Sequence, residues 1–247
     1  MEPSVAAGHD SRTLSHGGRR AHAVLLLHGY THSPAQLDGL AAALHRQGYN
    51  VHVPRAPFHG VVTPGAHARV RTRQLLDYAD AALERTARLG EEVGIVGVSG
   101  GAVLATWLAA RGGGTVRRLL ALAPFYAPAP GRIPPVLLRP LIRLYGLGLL
   151  PDRVDRRGYS YRAVAQYLRI AAFREVTATG LRHVAVAVSE NDTVVDRALA
   201  FDIPSRLAAA SGASLALDTL PARLGLGHNI VSGHDELVPR FVELYEG

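Results

Sequence analysis

Short, continuous apolar runs alternate along this chain with longer amphipathic stretches, and that alternation predicts its architecture. Residues 23–27 (AVLLL) are bounded by charged and turn residues, the pattern of a strand buried on both faces. Ser33-Pro34-Ala35-Gln36 then reads as a helix start, with a cap residue, a proline at the first helical position and a glutamine at N3. Leu37, Leu40, Ala41 and Leu44 continue at helical spacing until Gly48. A second strand is expected over residues 49–53. A helix over 72–89 turns Leu75, Leu76, Ala79 and Leu83 inward and ends at Gly90, and a third strand covers 93–98. A helix over 101–110 follows, with further strands at 119–122, 184–188 and 215–220. Strand and helix in turn predict an α/β fold, a mostly parallel central sheet flanked by helices.

The rhythm breaks between residues 125 and 180. Six prolines fall from Pro128 to Pro151, followed by leucine-rich and tyrosine-bearing stretches with no strand pattern. This stretch is expected to be a helical insertion into a single domain spanning 21–247, with residues 1–20 a flexible N-terminal segment. No fixed-period repeat is present.

Composition narrows the function classes. A chain of 247 residues, 48% hydrophobic, can bury one substantial core. The first twenty residues carry no apolar run of the secretory type, and no segment is long enough to span a membrane, so a cytoplasmic location is the expectation. Cysteine is absent, which excludes disulfides and thiolate chemistry. The net charge of +7 raises nucleic acid as a partner, but the arginines are scattered into doublets such as Arg19-Arg20, Arg117-Arg118 and Arg156-Arg157. No basic stripe interleaves with aromatics, so a solvated surface is the better reading.

Two segments carry chemistry. Gly97-Val98-Ser99-Gly100-Gly101 satisfies G-x-S-x-G between a predicted strand and a small-residue helix, the setting in which a sharp turn lifts a serine oxygen clear of a sheet. His28-Gly29-Tyr30-Thr31-His32-Ser33-Pro34 ends the first buried strand, where a backbone N–H can face that serine and, with the N–H of Gly100, form an oxyanion hole. On these residues the chain resembles the α/β-hydrolase family. HGYTHSP is similar to the HGFTGSP-type signature of bacterial carboxylesterases and monoacylglycerol lipases, and GVSGG to the family's nucleophile elbow. The resemblance implies Ser99 as nucleophile and the backbone N–H groups of Tyr30 and Gly100 as oxyanion donors. Three departures stand out. Gly100 replaces a position that is often bulky, His32 replaces a common glycine, and Pro57-Phe58-His59-Gly60 lacks the first glycine of the family's G-H-G turn.

A serine hydroxyl needs a base and an orienting carboxylate, which the family places in the order Ser, Asp, His. Asp192 follows the predicted strand 184–188 and is the candidate acid; Asp196 reads better as a helix cap, and Glu190 is a weaker rival. His228 and His234 both follow the last predicted strand. His228 sits in a glycine-rich loop matching the family's G-H position and is preferred, while His234 reads as part of a helix start. His28 and His32 have i,i+4 spacing, but Gly29 and the strand-to-loop setting argue against a zinc helix, so neither a metal nor any cofactor is expected. His52 and Trp107 read as packing residues.

The resemblance further implies that the insertion caps the active site. Leu137, Leu138, Leu141, Ile142 and Leu149 are then the candidate walls of an acyl pocket for a small-molecule ester with an apolar acyl group. The expectation is a carboxylic ester hydrolase of the carboxylesterase or monoacylglycerol lipase type. A thioesterase, lysophospholipase or amidase with the same triad, and a non-catalytic binding protein on the hydrolase fold, are the alternatives.

Overall fold

A computed structural model describes residues 2–111, 114–155, 158–172 and 179–247. The strands are β1 (Arg12–Leu14), β2 (Arg20–Leu27), β3 (Asn50–Val53), β4 (Gly90–Val98), β5 (Val116–Leu122), β6 (His183–Ser189) and β7 (Ser214–Leu220). They form one sheet in the order β1-β3-β2-β4-β5-β6-β7, parallel throughout except for antiparallel β1. The helices are α1 (Asp38–Arg46), α2 (Thr72–Ala87), α3 (Gly100–Ala110), α4 (Pro135–Gly146), α5 (Tyr161–Ala171), α6 (Arg197–Ser211) and α7 (Val238–Glu246).

Because side chains alternate along a strand, each run of β-branched and leucine residues feeds two cores. Val24, Leu26, Val96, Val98, Leu120 and Leu122 face Leu40 and Leu44 of α1 and Phe241 and Tyr245 of α7. Leu25, Leu27, Ile95 and Leu119 face Leu75 and Ala79 of α2 and Val103, Leu104 and Leu108 of α3. The chain leaves β2 for β3 on one side and returns to β4 on the other, so strand order reverses between the carboxyl ends of β2 and β4. In open parallel sheets that crevice is where ligands bind.

Three local expectations change. Part of the N-terminal segment is tied down: β1 pairs with β3, and Val5 bridges Val61. The outer edge of β3 would otherwise present unpaired backbone groups, a demand that the polar sequence of residues 1–20 does not reveal. Gly90 opens β4 rather than closing a helix, since a Cβ there would lie 2.5 Å from the Ala23 nitrogen across the sheet. Ser33 caps no helix with its side chain; the turn at Pro34–Leu37 is 3-10, and Ser33 Oγ pairs with His9 Nδ1 at 2.6 Å.

The stretch between β5 and β6 carries α4 and α5, which pack on each other, and no element of the sheet among its described residues. Arg156, Arg157 and residues 173–178 of this stretch lie outside the described residues. Ser160 caps α5, its Oγ accepting from the Ala163 N–H at 3.1 Å.

Candidate active site

The turn from β4 into α3 fixes Ser99 by sterics. Its backbone sits at φ 52° and ψ −112°, a region costing a non-glycine residue about 1–3 kcal/mol. The glycines on either side are demanded by close backbone approach. A Cβ on Gly97 would lie 2.5 Å from Ala102 Cα, and one on Gly101 would lie 2.2 Å from the Leu27 carbonyl oxygen. The Ser99 N–H donates to Leu122 O at 2.8 Å, which ties the strained residue to β5.

Three of the residues singled out by sequence converge at this turn. Ser99 Oγ lies 2.8 Å from His228 Nε2, and His228 Nδ1 lies 2.7 Å from Asp192 Oδ2. The Asp192 side chain is fully buried, and its other oxygen accepts from the Val194 and Val195 N–H groups at 2.8 and 3.2 Å. Burial pushes the Asp192 carboxyl up, but the hydrogen bond and charge of His228 and the two amides outweigh it and hold the group below the ordinary carboxylate value.

The rival residues lie elsewhere. Asp196 caps α6, accepting from the Leu199 N–H at 3.1 Å. Glu190 is exposed and accepts from the Ala222 N–H. His234 is paired at 3.3 Å with exposed Glu236.

His28 is committed to backbone. Its Nε2 accepts from the Ala56 N–H at 3.0 Å, which leaves Nδ1 to donate to the Gly29 carbonyl at 3.0 Å. Full burial, above all, lowers its pKa to about 4, so the ring is neutral and braces the loop that carries Tyr30. Gln36 Oε1 holds the same loop by accepting from the Gly29 N–H at 2.7 Å. His32, in place of the family's glycine, is lowered by burial and by the proximity of His228. Phe58 adopts φ 64°, a left-handed conformation that glycine reaches without steric cost and a side chain rarely does. His52 bonds Thr13 Oγ1 at 3.0 Å, and Trp107 packs on the core beneath Arg111.

Tyr30, Ser99, Gly100 and His228 line one cavity of about 40 Å³, closed by Phe125, Tyr159, Val164, Tyr167 and Val194. Gly100 opens α3, so its N–H belongs to the first turn that has no partner within the helix. The five cap residues expected as acyl-pocket walls do not line this cavity. Leu137 and Leu149 are 48% and 67% exposed, and Leu138, Leu141 and Ile142 are half-buried on α4, which packs on α5 rather than over the serine. The walls come instead from α5, where Val164 and Tyr167 share a face at i,i+3 spacing, and from loops after β5 and β6. Sequence reading passed over these residues because the tyrosines of the insertion follow no strand pattern; the i,i+3 pair was the available signal.

Sheet order, crevice and serine turn define a hydrolase of the α/β class. The alpha/beta hydrolase family model matches residues 24–246, and the chain belongs to that family. Among solved structures, it is similar to a protein described with the metagenome-derived lipolytic enzymes LipS and LipT, at 19% identity and a TM-score of 0.73, covering 98% of this chain and 99% of the other. It is similar to Est1E from Butyrivibrio proteoclasticus, solved with ferulic acid bound, at 16% identity and a TM-score of 0.67 over 96% and 92% of the two chains. A monoacylglycerol lipase from Paleococcus ferrophilus matches at 14% identity and a TM-score of 0.64 over 94% and 96%. At these identities the likeness is one of fold. None of the curated proteins matches this chain. Among the described residues, no helix is long and apolar enough to cross a membrane.

Proposed function

We propose that this chain is a serine-dependent carboxylic ester hydrolase working through an acyl-enzyme, with Ser99, His228 and Asp192 as its catalytic residues. The observation that carries the reading is the unbroken hydrogen-bonded line from Ser99 Oγ through His228 to Asp192 at 2.8 and 2.7 Å. The ring proton resides on Nδ1, donated to Asp192, and Nε2 accepts from the serine hydroxyl. As Ser99 Oγ attacks the ester carbon, His228 takes its proton, and the Asp192 carboxylate stabilises the imidazolium.

The tetrahedral oxygen receives the backbone N–H groups of Tyr30 and Gly100. Each such donor is worth about 10²–10³ in rate. His228 then protonates the departing alcohol, and water repeats the sequence on the acyl-enzyme. The scheme requires no cofactor. The lipolytic enzymes, Est1E and monoacylglycerol lipase among the structural relatives support ester chemistry on this fold. A fluorophosphonate probe is expected to label the wild type, Ser99 Oγ bonding to phosphorus as fluoride leaves, while Ser99→Ala abolishes both labelling and ester hydrolysis. Ester cleavage by Ser99→Ala at the wild-type rate would refute the assignment. Parallel thioester and amide substrates separate the leaving-group classes that share this triad.

A further inference from the structure

Two spaces of opposite character flank the loop that carries Tyr30. On the cap side, the cavity at Ser99 has a volume of about 40 Å³ and mainly aromatic and aliphatic walls. A Cβ on Gly100 would already sit 3.0 Å from Tyr167 Cε1, so the tyrosine ring takes the room that a side chain after the nucleophile would fill. Tyr167 is itself 2% exposed and packed against the Tyr30 ring at 5.6 Å. A cavity of that size holds roughly three water-sized groups, the bulk of a short acyl chain.

On the other side, Thr31 and His32 face a groove of about 600 Å³. It lies between this loop and residues 231–233, which continue the chain beyond His228; the opposite wall comes from residues 58–67, with His9 at one end. Its lining is rich in hydrogen-bonding groups and includes the carboxylates of Asp38, which pairs with Arg12, and Asp235. Burial disfavours the charged forms of His32 and His67; the His32 imidazole offers one donor and one acceptor, whereas His67 donates from Nε2 to the Gly158 carbonyl at 3.3 Å and keeps Nδ1 as an acceptor. Thr63 lines the same groove, and Ser232 Oγ is buried there with no hydrogen-bond partner among the described residues. Its hydrogen-bonding capacity is unmet.

The leaving alcohol must depart where His228 Nε2 can protonate it, and the groove runs between the Tyr30 loop and the His228 loop. We propose that it holds the alcohol half of the substrate, and that the substrate is a short-chain acyl ester of a polyhydroxy alcohol, a sugar or polyol. The inference rests on the ester-hydrolase reading and specifies its two subsites. In the first step the acyl carbon bonds to Ser99 Oγ, the bond to the alcohol oxygen breaks, and the serine proton passes through His228 to that oxygen. Water then releases the short acid, regenerating Ser99.

The test compares kcat/KM for 6-O-acetylglucose, ethyl acetate, and the acetyl and octanoyl monoesters of glycerol on the purified full chain. Acetylglucose is expected to exceed ethyl acetate by tenfold or more, and octanoylglycerol to fall at least tenfold below acetylglycerol. His32→Leu and, separately, Ser232→Ala should lower the ratio of acetylglucose to ethyl acetate at least threefold, chiefly through KM. Tyr167→Ala should raise octanoylglycerol relative to acetylglycerol. Equal rates on acetylglucose and ethyl acetate, or ratios unmoved by both groove variants, would overturn this inference while leaving the hydrolase reading intact. Failure to cleave any ester, together with a Ser99 inert to fluorophosphonate, would overturn both.

Discussion

Acid should loosen the loop that carries Tyr30 before it touches the Asp192 carboxylate. His28 is neutral in the fold with its pKa lowered from 6.5 to about 4, chiefly by burial. In the unfolded chain it titrates at its ordinary value, so between pH 6.5 and 4 the unfolded state binds the extra proton. Stability is therefore fully present above pH 6.5 and is lost as pH falls through that window. The full depression corresponds to about 3 kcal/mol, of which about 2 kcal/mol is already lost at pH 5. His52, lowered to about 4 mainly by burial, adds a loss of similar sign and size. Asp192 has the opposite sense of charge: its lowered carboxyl withdraws stability only below the ordinary carboxylate value, outside this window.

The assay is urea unfolding at pH 8 and pH 5 for wild type and His28→Gln, which keeps an acceptor and removes the titration. The wild type should lose about 2 kcal/mol more than the variant over that interval. Equal losses would refute the assignment of His28 as a neutral brace, as would an NMR titration placing its ring pKa near 6.5.

The remaining predictions bear on the triad and its turn. Asp192→Asn should leave the circular dichroism spectrum unchanged and lower kcat by about 10⁴, because the amide stabilises the wrong imidazole tautomer. His234→Ala should keep ester hydrolysis within about twofold of wild type, since its partner is an exposed glutamate and it is His228 that bonds Ser99 Oγ. Gly101→Ala should destabilise by more than about 4 kcal/mol and appear as loss of soluble, folded protein, because the added carbon meets the Leu27 and His28 carbonyl oxygens at 2.2 and 2.5 Å.

The parts of this molecule written in local pattern were legible beforehand. Buried parallel strands announce themselves as uninterrupted apolar runs, which is why β2, the later half of β4, and β6 could be read directly. Asp192 and His228 stand out from Asp196 and His234 because they follow a strand end and match the family's G-H loop, whereas their rivals read as residues of helix starts. Asp196 does cap α6, and His234 does sit beside a short helical turn. The pairing of β1 with β3 was not legible, because an edge strand of three residues is held by its partner's unpaired backbone and leaves no periodic trace. The cavity walls were not legible either. The leucines of α4 look like a pocket lining by composition, yet composition does not say which helix of an insertion faces the serine.

Gly100 shows what that distinction means physically. By sequence, Gly100 stands where relatives often carry a bulky residue. In the fold the wall is present but supplied from α5, whose Tyr167 ring stands within van der Waals reach of the missing Cβ. The two residues are coupled: a larger side chain at position 100 requires a smaller one at 167, and neither position alone sets the size of the cavity. Replacing Tyr167 enlarges the space without disturbing the Gly100 N–H, whereas replacing Gly100 crowds α5 against the Ser99 turn. The size of this cavity can therefore be tuned from the insertion while the backbone geometry of Ser99 and its neighbours stays fixed.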